Sequence, residues 1–183
     1  ATLENADGSK SIGVAGAISA VNGRALLIAG GANFPDKMPW EGGKKHYSDE
    51  INILQKLESK YVWNKKIKTK LPEPIAYCGN TSTKLGIVYA GGENEAGLSK
   101  KVFLIKFSSK EEWLLIFSLP DLPNPLTNIF LTNIGNVVYA IGGDGPSVSS
   151  KASLSLDLDK KEDGWNQLPE LPIALAISAA VVQ

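Results

Sequence analysis

The chain has 183 residues, 43% hydrophobic and 21% charged, a composition that excludes a disordered protein and suits a globular one. Nineteen cationic and nineteen anionic side chains cancel, so no basic field exists to hold nucleic acid or an anionic membrane, and an anionic ligand has to be held locally. One Cys (Cys78) and one His (His46) exclude an internal disulfide and a zinc or copper site of several N/S ligands from this chain.

Arg24 is the sole arginine, so bidentate forks to a carboxylate are scarce. No apolar run approaches the ~20 residues of a membrane-spanning helix. The start at Ala1, without a charged-apolar-small leader, suits a processed mature terminus, a cloning boundary or a tag remnant.

In chain order, the first β-prone run is "GVAGAISAV", which turns at Asn22-Gly23 into "ALLIAGG". A long irregular stretch follows, then a third run, "DEINILQKL", then Trp63 and Leu71-Pro72. The same succession recurs as "IAYCGNTST", "GIVYAGG", "KKVFLIKFS", Trp113 and Leu119-Pro120. It recurs again as "NIFLTNIGN", "VVYAIGG", "KASLSLDLD", Trp165 and Leu168-Pro169, before the chain ends on "IALAISAAVVQ".

The tryptophans are 50 and 52 residues apart and the Leu-Pro pairs 48 and 49 apart. Four short antiparallel strands per unit predict an all-β fold, a β-propeller of four-stranded blades. The glycine pairs are expected where backbones crowd, the tryptophans between neighbouring blades with the indole N–H on a carbonyl, and the proline segments at crossings where no ladder donor is needed. The expected limits are about 11–72 for blade one, 73–123 for blade two, 124–172 for blade three and 173–183 for the start of a fourth. Propellers have ~4–8 blades, so the chain is expected to form about half of a six-bladed ring, completed by more of the same protein or by a partner copy.

From the second glycine of the pair to the tryptophan is 32 residues in unit one, 21 in unit two and 22 in unit three. The first unit thus carries 10 or 11 surplus residues, in an insertion at 32–48 between its second and third strands. Loops at that place open on the same end as the blade crossings, so the insertion is expected over one mouth of the central channel. Phe34, Pro35, Met38, Pro39 and Trp40 are suited to fold it back as a flap, while Asn33, Asp36, Glu41, Lys44, Lys45 and His46 offer hydrogen bonds and charge. Glu93, Asn94 and Glu95 of unit two and Asp144 of unit three face the same mouth on this register. A structural cover accounts for the same residues, with Trp40 capping a blade edge, the lysines solvated and His46 a surface residue. Tyr47 suits core and pocket equally. Arg24 falls in a hairpin at the opposite end, and Cys78 is a small core residue.

The three in-phase sets of markers resemble the kelch repeat and cover nearly the whole chain. The wording "GVAGA…LLIAGGANFPDKMPWEGGKKHYSDEI", sharpest over residues 13–53, resembles the bacterial N-acetylneuraminate epimerase (sialic acid mutarotase) family, including its cyclically permuted members. The resemblance implies interconversion of the α and β anomers of free sialic acid on a six-bladed propeller, in or exported to the periplasm. Ring opening needs a base for the anomeric hydroxyl and an acid for the ring oxygen, and no cofactor or metal. Glu41 and His46 are the catalytic candidates. Asn33, Asp36, Trp40, Lys44, Lys45, Glu93 and Asn94 are the substrate-binding candidates, with Trp40 along the sugar's C–H face and Lys44 or Lys45 against the substrate carboxylate. The family's Asn-Gly-Glu…Lys-Pro-Gly-x-Arg stretch is absent here, so the resemblance implies that the other half is expected to supply a principal acid or base.

Two other classes compete. A kelch module gripping a glycan or protein through its loop face explains the repeats equally, but gives no reason for the flap. A copper radical oxidase on the same scaffold needs several His and Tyr ligands and a reactive Cys, which this chain does not supply.

Overall fold

A computed structural model of the protein describes residue 4, residues 10–108 and residues 111–178, so the expected start of a further blade at 173–183 lies partly outside the described residues. The first unit contains β1 (Ile18–Asn22), β2 (Ala25–Ala29), β3 (Ala32–Asn33), β4 (His46–Tyr47), β5 (Ile51–Leu57) and β6 (Lys60–Trp63). The second contains β7 (Gly79–Thr83), β8 (Gly86–Ala90), β9 (Glu93–Asn94), β10 (Gly97–Leu98), β11 (Val102–Ser108) and β12 (Trp113–Leu119). The third contains β13 (Phe130–Ile134), β14 (Val137–Ile141), β15 (Ser153–Asp157) and β16 (Asn166–Gln167).

Each unit is one antiparallel four-stranded sheet, ordered β1-β2-β5-β6, β7-β8-β11-β12 and β13-β14-β15-β16. The first strands β1, β7 and β13 contact one another in turn, and the sheets fan out from that line as propeller blades. Above the blades, the two-stranded ribbons β3-β4 and β9-β10 continue the link between second and third strands, and an Asp144–Ser149 bridge takes their place in the third unit.

The blades are held by apolar contact between their faces. One cluster joins Leu27, Ile51 and Ile53 of the first blade to Ile87, Tyr89 and Ile105 of the second. Another joins Val88, Ala90 and Leu104 of the second to Val138, Ala140 and Leu156 of the third. Tyr89 and Phe103 stack at 5.2 Å between centroids. Each fully buried aliphatic or aromatic side chain contributes ~1.5–3 kcal/mol, whereas an exposed pair such as Lys65–Glu4 or Lys66–Glu112 contributes ~0–1 kcal/mol. Face-to-face packing therefore dominates. It also explains the burial pattern: β8, in the middle blade, is buried at all five positions, while β2 and β14 bury only alternate ones.

The glycine pairs seat the crossing into the next unit. Gly31, Gly92 and Gly143 donate their N–H groups to the carbonyls of Ile75, Leu126 and Leu175, each at 2.8 Å. A Cβ on the preceding Gly30, Gly91 or Gly142 would collide with those same carbonyls, and all three have φ between +64° and +67°. No side chain can stand there.

Two residues beyond each seated carbonyl the chain adopts the left-handed region, at Tyr77 (φ 58°), Asn128 (φ 53°) and Ile177 (φ 51°), with Gly16 (φ 64°) the counterpart in the first unit. These positions form a head-to-tail series: Tyr77 N–H donates to Gly16 O at 2.7 Å, Asn128 N–H to Tyr77 O at 2.9 Å and Ile177 N–H to Asn128 O at 3.3 Å. The conformation costs a non-glycine residue ~1–2 kcal/mol, and only Asn among these three has a side chain that eases it. The inter-unit bonds offset that strain.

The tryptophans behave differently from the expectation. Trp165 does lie between blades, packed on the second core cluster with Nε1 donating to Pro120 O at 2.9 Å. Trp63 is its counterpart, opposite Leu54, but its buried Nε1 has no partner. Trp113 is out of phase: it sits opposite Ser108, is 39% exposed and donates to Glu111 Oε2 at 2.8 Å. Ile116, opposite Ile105, fills the inter-blade place instead and packs on the first cluster. The register explains the slip. Leu57 pairs with Lys60 in the first blade, whereas Ser108 pairs with Trp113 in the second, a connection two residues longer.

Candidate functional site

The insertion is bounded by a bond common to the three units. Ser48, Ser99 and Ser150 donate N–H to the carbonyls of Gly31, Gly92 and Gly143 at 2.9, 2.9 and 2.7 Å. Ser48 comes seventeen positions after Gly31, whereas Ser99 and Ser150 come seven after their glycines, so the surplus is ten residues. Ala32 bridges Ala15 on the crossing side of the blade, which puts the insertion at the end where the crossings lie.

Its tip is a 3-10 turn, Pro39–Glu41. Met38 N–H donates to Glu41 Oε2 at 3.2 Å, and the N–H groups of Glu41 and Gly43 return to Met38 O at 2.9 and 3.0 Å. Gly42 has φ +80°, and a Cβ on Gly43 would strike the Lys37 carbonyl, so the glycine pair is what this reversal requires. The carboxylate of Glu41 thus closes the turn. Trp40 is 80% exposed at its apex.

Beneath the flap lies an open cleft of about 760 Å³, bordered by Asn33, Asp36, Glu41 and Lys45 together with Met38 and Tyr77. Asn33 Nδ2 donates to Gly13 O at 3.0 Å, while its Oδ1 is buried without a partner. His46 borders a different recess of about 320 Å³, with Asn33, Glu50 and Asn52. That separation follows from β4, whose successive residues His46 and Tyr47 point to opposite faces. Trp40, Lys44 and Asn94 border neither space, and Asn94 Oδ1 accepts the Ala96 N–H at 2.9 Å.

The most connected polar group crosses from the first blade to the second. Glu93 Oε1 accepts Lys45 Nζ at 3.0 Å and Tyr47 OH at 2.8 Å. Lys45 Nζ also lies 5.6 Å from the Tyr47 ring centroid and 5.2 Å from that of Tyr77, within cation–π range of both. The hydrogen bond to Glu93 raises the Lys45 pKa above its ordinary 10.5, so the ammonium is held charged. Desolvation, with the Glu93 bond second, raises the Tyr47 pKa above 10.0, so the phenol is held protonated. A carboxylate acceptor, a phenol donor and a fixed cation therefore meet at one point. In the third unit Asp144 occupies the place of Glu93, taking Asn128 Nδ2 at 3.1 Å and Ser149 Oγ at 2.6 Å.

Tyr77 is the functional candidate that strand and loop reasoning passed over. Aligning the segments before each first strand, "VAG", "IAY", "LTN" and "LAI", places it at the left-handed position of every unit. Cys78 packs on the core and donates Sγ to Gly91 O at 3.2 Å, and burial pushes its thiol pKa far up, which disfavours the thiolate. Among the described residues no three His, Cys, Asp or Glu side chains converge to hold a metal ion.

Fold and cleft together define a kelch-like propeller segment with an acid–base cluster at the crossing end of its blades. Its sequence likeness is to N-acetylneuraminate epimerases. That of Vibrio vulnificus (strain YJ016) is 37% identical over 109 residues, covering 54% of this chain and 27% of that protein. That of Vibrio cholerae serotype O1 is 32% identical over 106 residues, covering 52% and 26%. That of Brucella suis is 31% identical over 102 residues, covering 54% and 26%. The match spans about a quarter of these relatives' own length. The solved structure of YjhT superposes with a TM-score of 0.64 at 15% identity, covering 87% of this chain and 53% of that one, which shows the shared propeller fold. No protein-family model matches the chain.

Proposed function

We propose that the chain forms the flap-bearing part of an N-acetylneuraminate epimerase, interconverting the two anomers of a sialic acid by acid–base ring opening. The observation that carries this is the 31–37% identity to proteins bearing that name over about half of the chain. The cluster at Glu93 supports it, because mutarotation asks for a paired proton acceptor and donor beside a cation. Glu93 takes the anomeric hydroxyl proton. The bond from the anomeric carbon to the ring oxygen breaks, and its electron pair leaves on that oxygen, which takes the Tyr47 proton. The open keto form recloses from the other face by the reverse transfers. Because Tyr47 OH already donates to Glu93, the proton left on Glu93 can return to Tyr47 without bulk water. Lys45 offsets the substrate carboxylate.

On this reading the acid and base both come from this chain, in place of the contribution expected from the other half, while Glu41 shapes the flap through its turn bond and His46 lies on the far side of β4. The remaining blades come from further chain of the same protein or from a partner copy, and the site of action is periplasmic or secreted. No helix among the described residues is long and apolar enough to cross a membrane.

NMR exchange spectroscopy on N-acetylneuraminate with the natural protein tests the proposal. Wild type is expected to speed anomer exchange over buffer. Glu93→Gln and Tyr47→Phe should each lower kcat by roughly 10²-fold or more, the lower end of what a positioned proton-transfer group supplies. Glu41→Gln and His46→Gln should change it at most a few-fold. Exchange no faster than in buffer would dismiss the enzyme. A collapse with Glu41→Gln or His46→Gln, but not with Glu93→Gln, would return the acid and base to the flap. Fractionation of the source cells checks the location.

A further inference from the structure

Tyr77 is held with more constraint than a core or surface tyrosine needs. Its backbone is left-handed at φ 58°, a conformation uncommon for a bulky residue. Both of its backbone groups are engaged, N–H to Gly16 O at 2.7 Å and C=O from Asn128 N–H at 2.9 Å. Its ring lies against Gly16, where any Cβ would collide with Cδ1, so the first unit carries the residue that makes room for it. On the cleft side the ring stands 5.2 Å from Lys45 Nζ. Among the described residues no hydrogen bond engages its hydroxyl. The equivalent Asn128 is committed to Asp144 through its side chain, and the equivalent Ile177 is 83% exposed, so in these units the left-handed position does not require an aromatic ring.

A ring that is fixed, strained at its backbone, open on one face and tipped by an unengaged hydroxyl has the properties of a ligand platform. Strain at such a position is tolerated where surrounding bonds over-determine it, and it concentrates at ligand sites. We infer that Tyr77 is a substrate-contacting residue: its ring carries the apolar C–H face of an anionic sugar, and its hydroxyl donates a hydrogen bond beside the carboxylate that Lys45 neutralises. The inference rests on the epimerase reading and adds a contact from the blade crossing, outside the flap. Aromatic faces suit pyranose C–H surfaces, and a phenol supplies a polar handle at the rim.

The test uses Tyr77→Phe and Tyr77→Asn in the natural protein. Asn is at home in the left-handed region, as Asn128 demonstrates at the equivalent place. Thermal melting of Tyr77→Asn is therefore expected to match wild type or rise slightly, while KM for N-acetylneuraminate rises 10-fold or more. Tyr77→Phe keeps the ring and should raise KM by roughly 2- to 10-fold, the size of one lost hydrogen bond. Wild-type turnover with KM and kcat unchanged in both variants overturns the inference and leaves the epimerase reading standing. Should wild type bind the sugar in saturation-transfer NMR without turning it over, loss of that signal in Tyr77→Asn upholds the contact while the epimerase reading fails. A wild type that neither binds nor converts the sugar overturns both.

Discussion

Lys45 sits between two phenol rings and one carboxylate, and its charge is tied to all three. Its folded pKa is raised above 10.5, chiefly by the Glu93 hydrogen bond, and that of Tyr47 is raised above 10.0, chiefly by desolvation. Raised folded values mean that the stability these groups contribute is whole below pH 10 and is lost as pH climbs past 10.5 through the shifted values. The Lys45–Glu93 pair is partly exposed, at 35% and 25% of the side chains, so its worth is near the top of the surface range, about 0.5–1 kcal/mol. Lys45→Met should lower the melting temperature by about 2 °C at pH 8 and by less at pH 11. A difference that is equal at the two pH values would show that the loss is one of packing. Lys45 was legible as a mouth residue from its place in the surplus stretch of the first unit, and Glu93 because it follows the glycine pair that closes β8. Their meeting was not legible, since it spans 48 positions and depends on how far the second blade is turned from the first.

Among the elements, the inter-blade seam makes the sharpest demand on side-chain identity. Trp165 fills it and bonds Pro120, whereas Trp113 faces outward on Glu111. Trp165→Phe is expected to cost about 1–2 kcal/mol in urea unfolding, from one lost hydrogen bond and some packing. Trp113→Phe should stay within about 0.5 kcal/mol. Equal losses would mean that the two tryptophans are equivalent after all. Gly91→Ala should cost more than either, since the methyl group meets the Leu126 carbonyl and the backbone is left-handed. Strands and glycine pairs could be found from sequence because apolar alternation and absent side chains leave a local trace. The tryptophan marker misled in one unit because the connection between β11 and β12 is two residues longer, which puts Ile116 on the seam and leaves Trp113 off it although the 50-residue spacing is kept.

At the scale of the molecule, the middle blade is covered on both faces and the outer two on one each. Leu26, Ile28 and Leu54 of the first blade stand where Ile87, Tyr89 and Ile105 are buried in the second. These three first-blade residues are half-buried rather than sealed, and two partly open apolar faces favour association. These 183 residues produced alone are therefore expected to self-associate, with light scattering giving a mass that rises with concentration. A monomer at all concentrations would show that no covering surface is required.

The series of backbone bonds through Gly16, Tyr77, Asn128 and Ile177 has a direction, each amide pointing back to the unit before it. Such a file can be extended only front to back. Like ends brought together would oppose amide to amide or oxygen to oxygen, so a mirror-wise sandwich of two first blades cannot continue the file. A unit that does continue it has to enter with the same rotational sense as the three already in line.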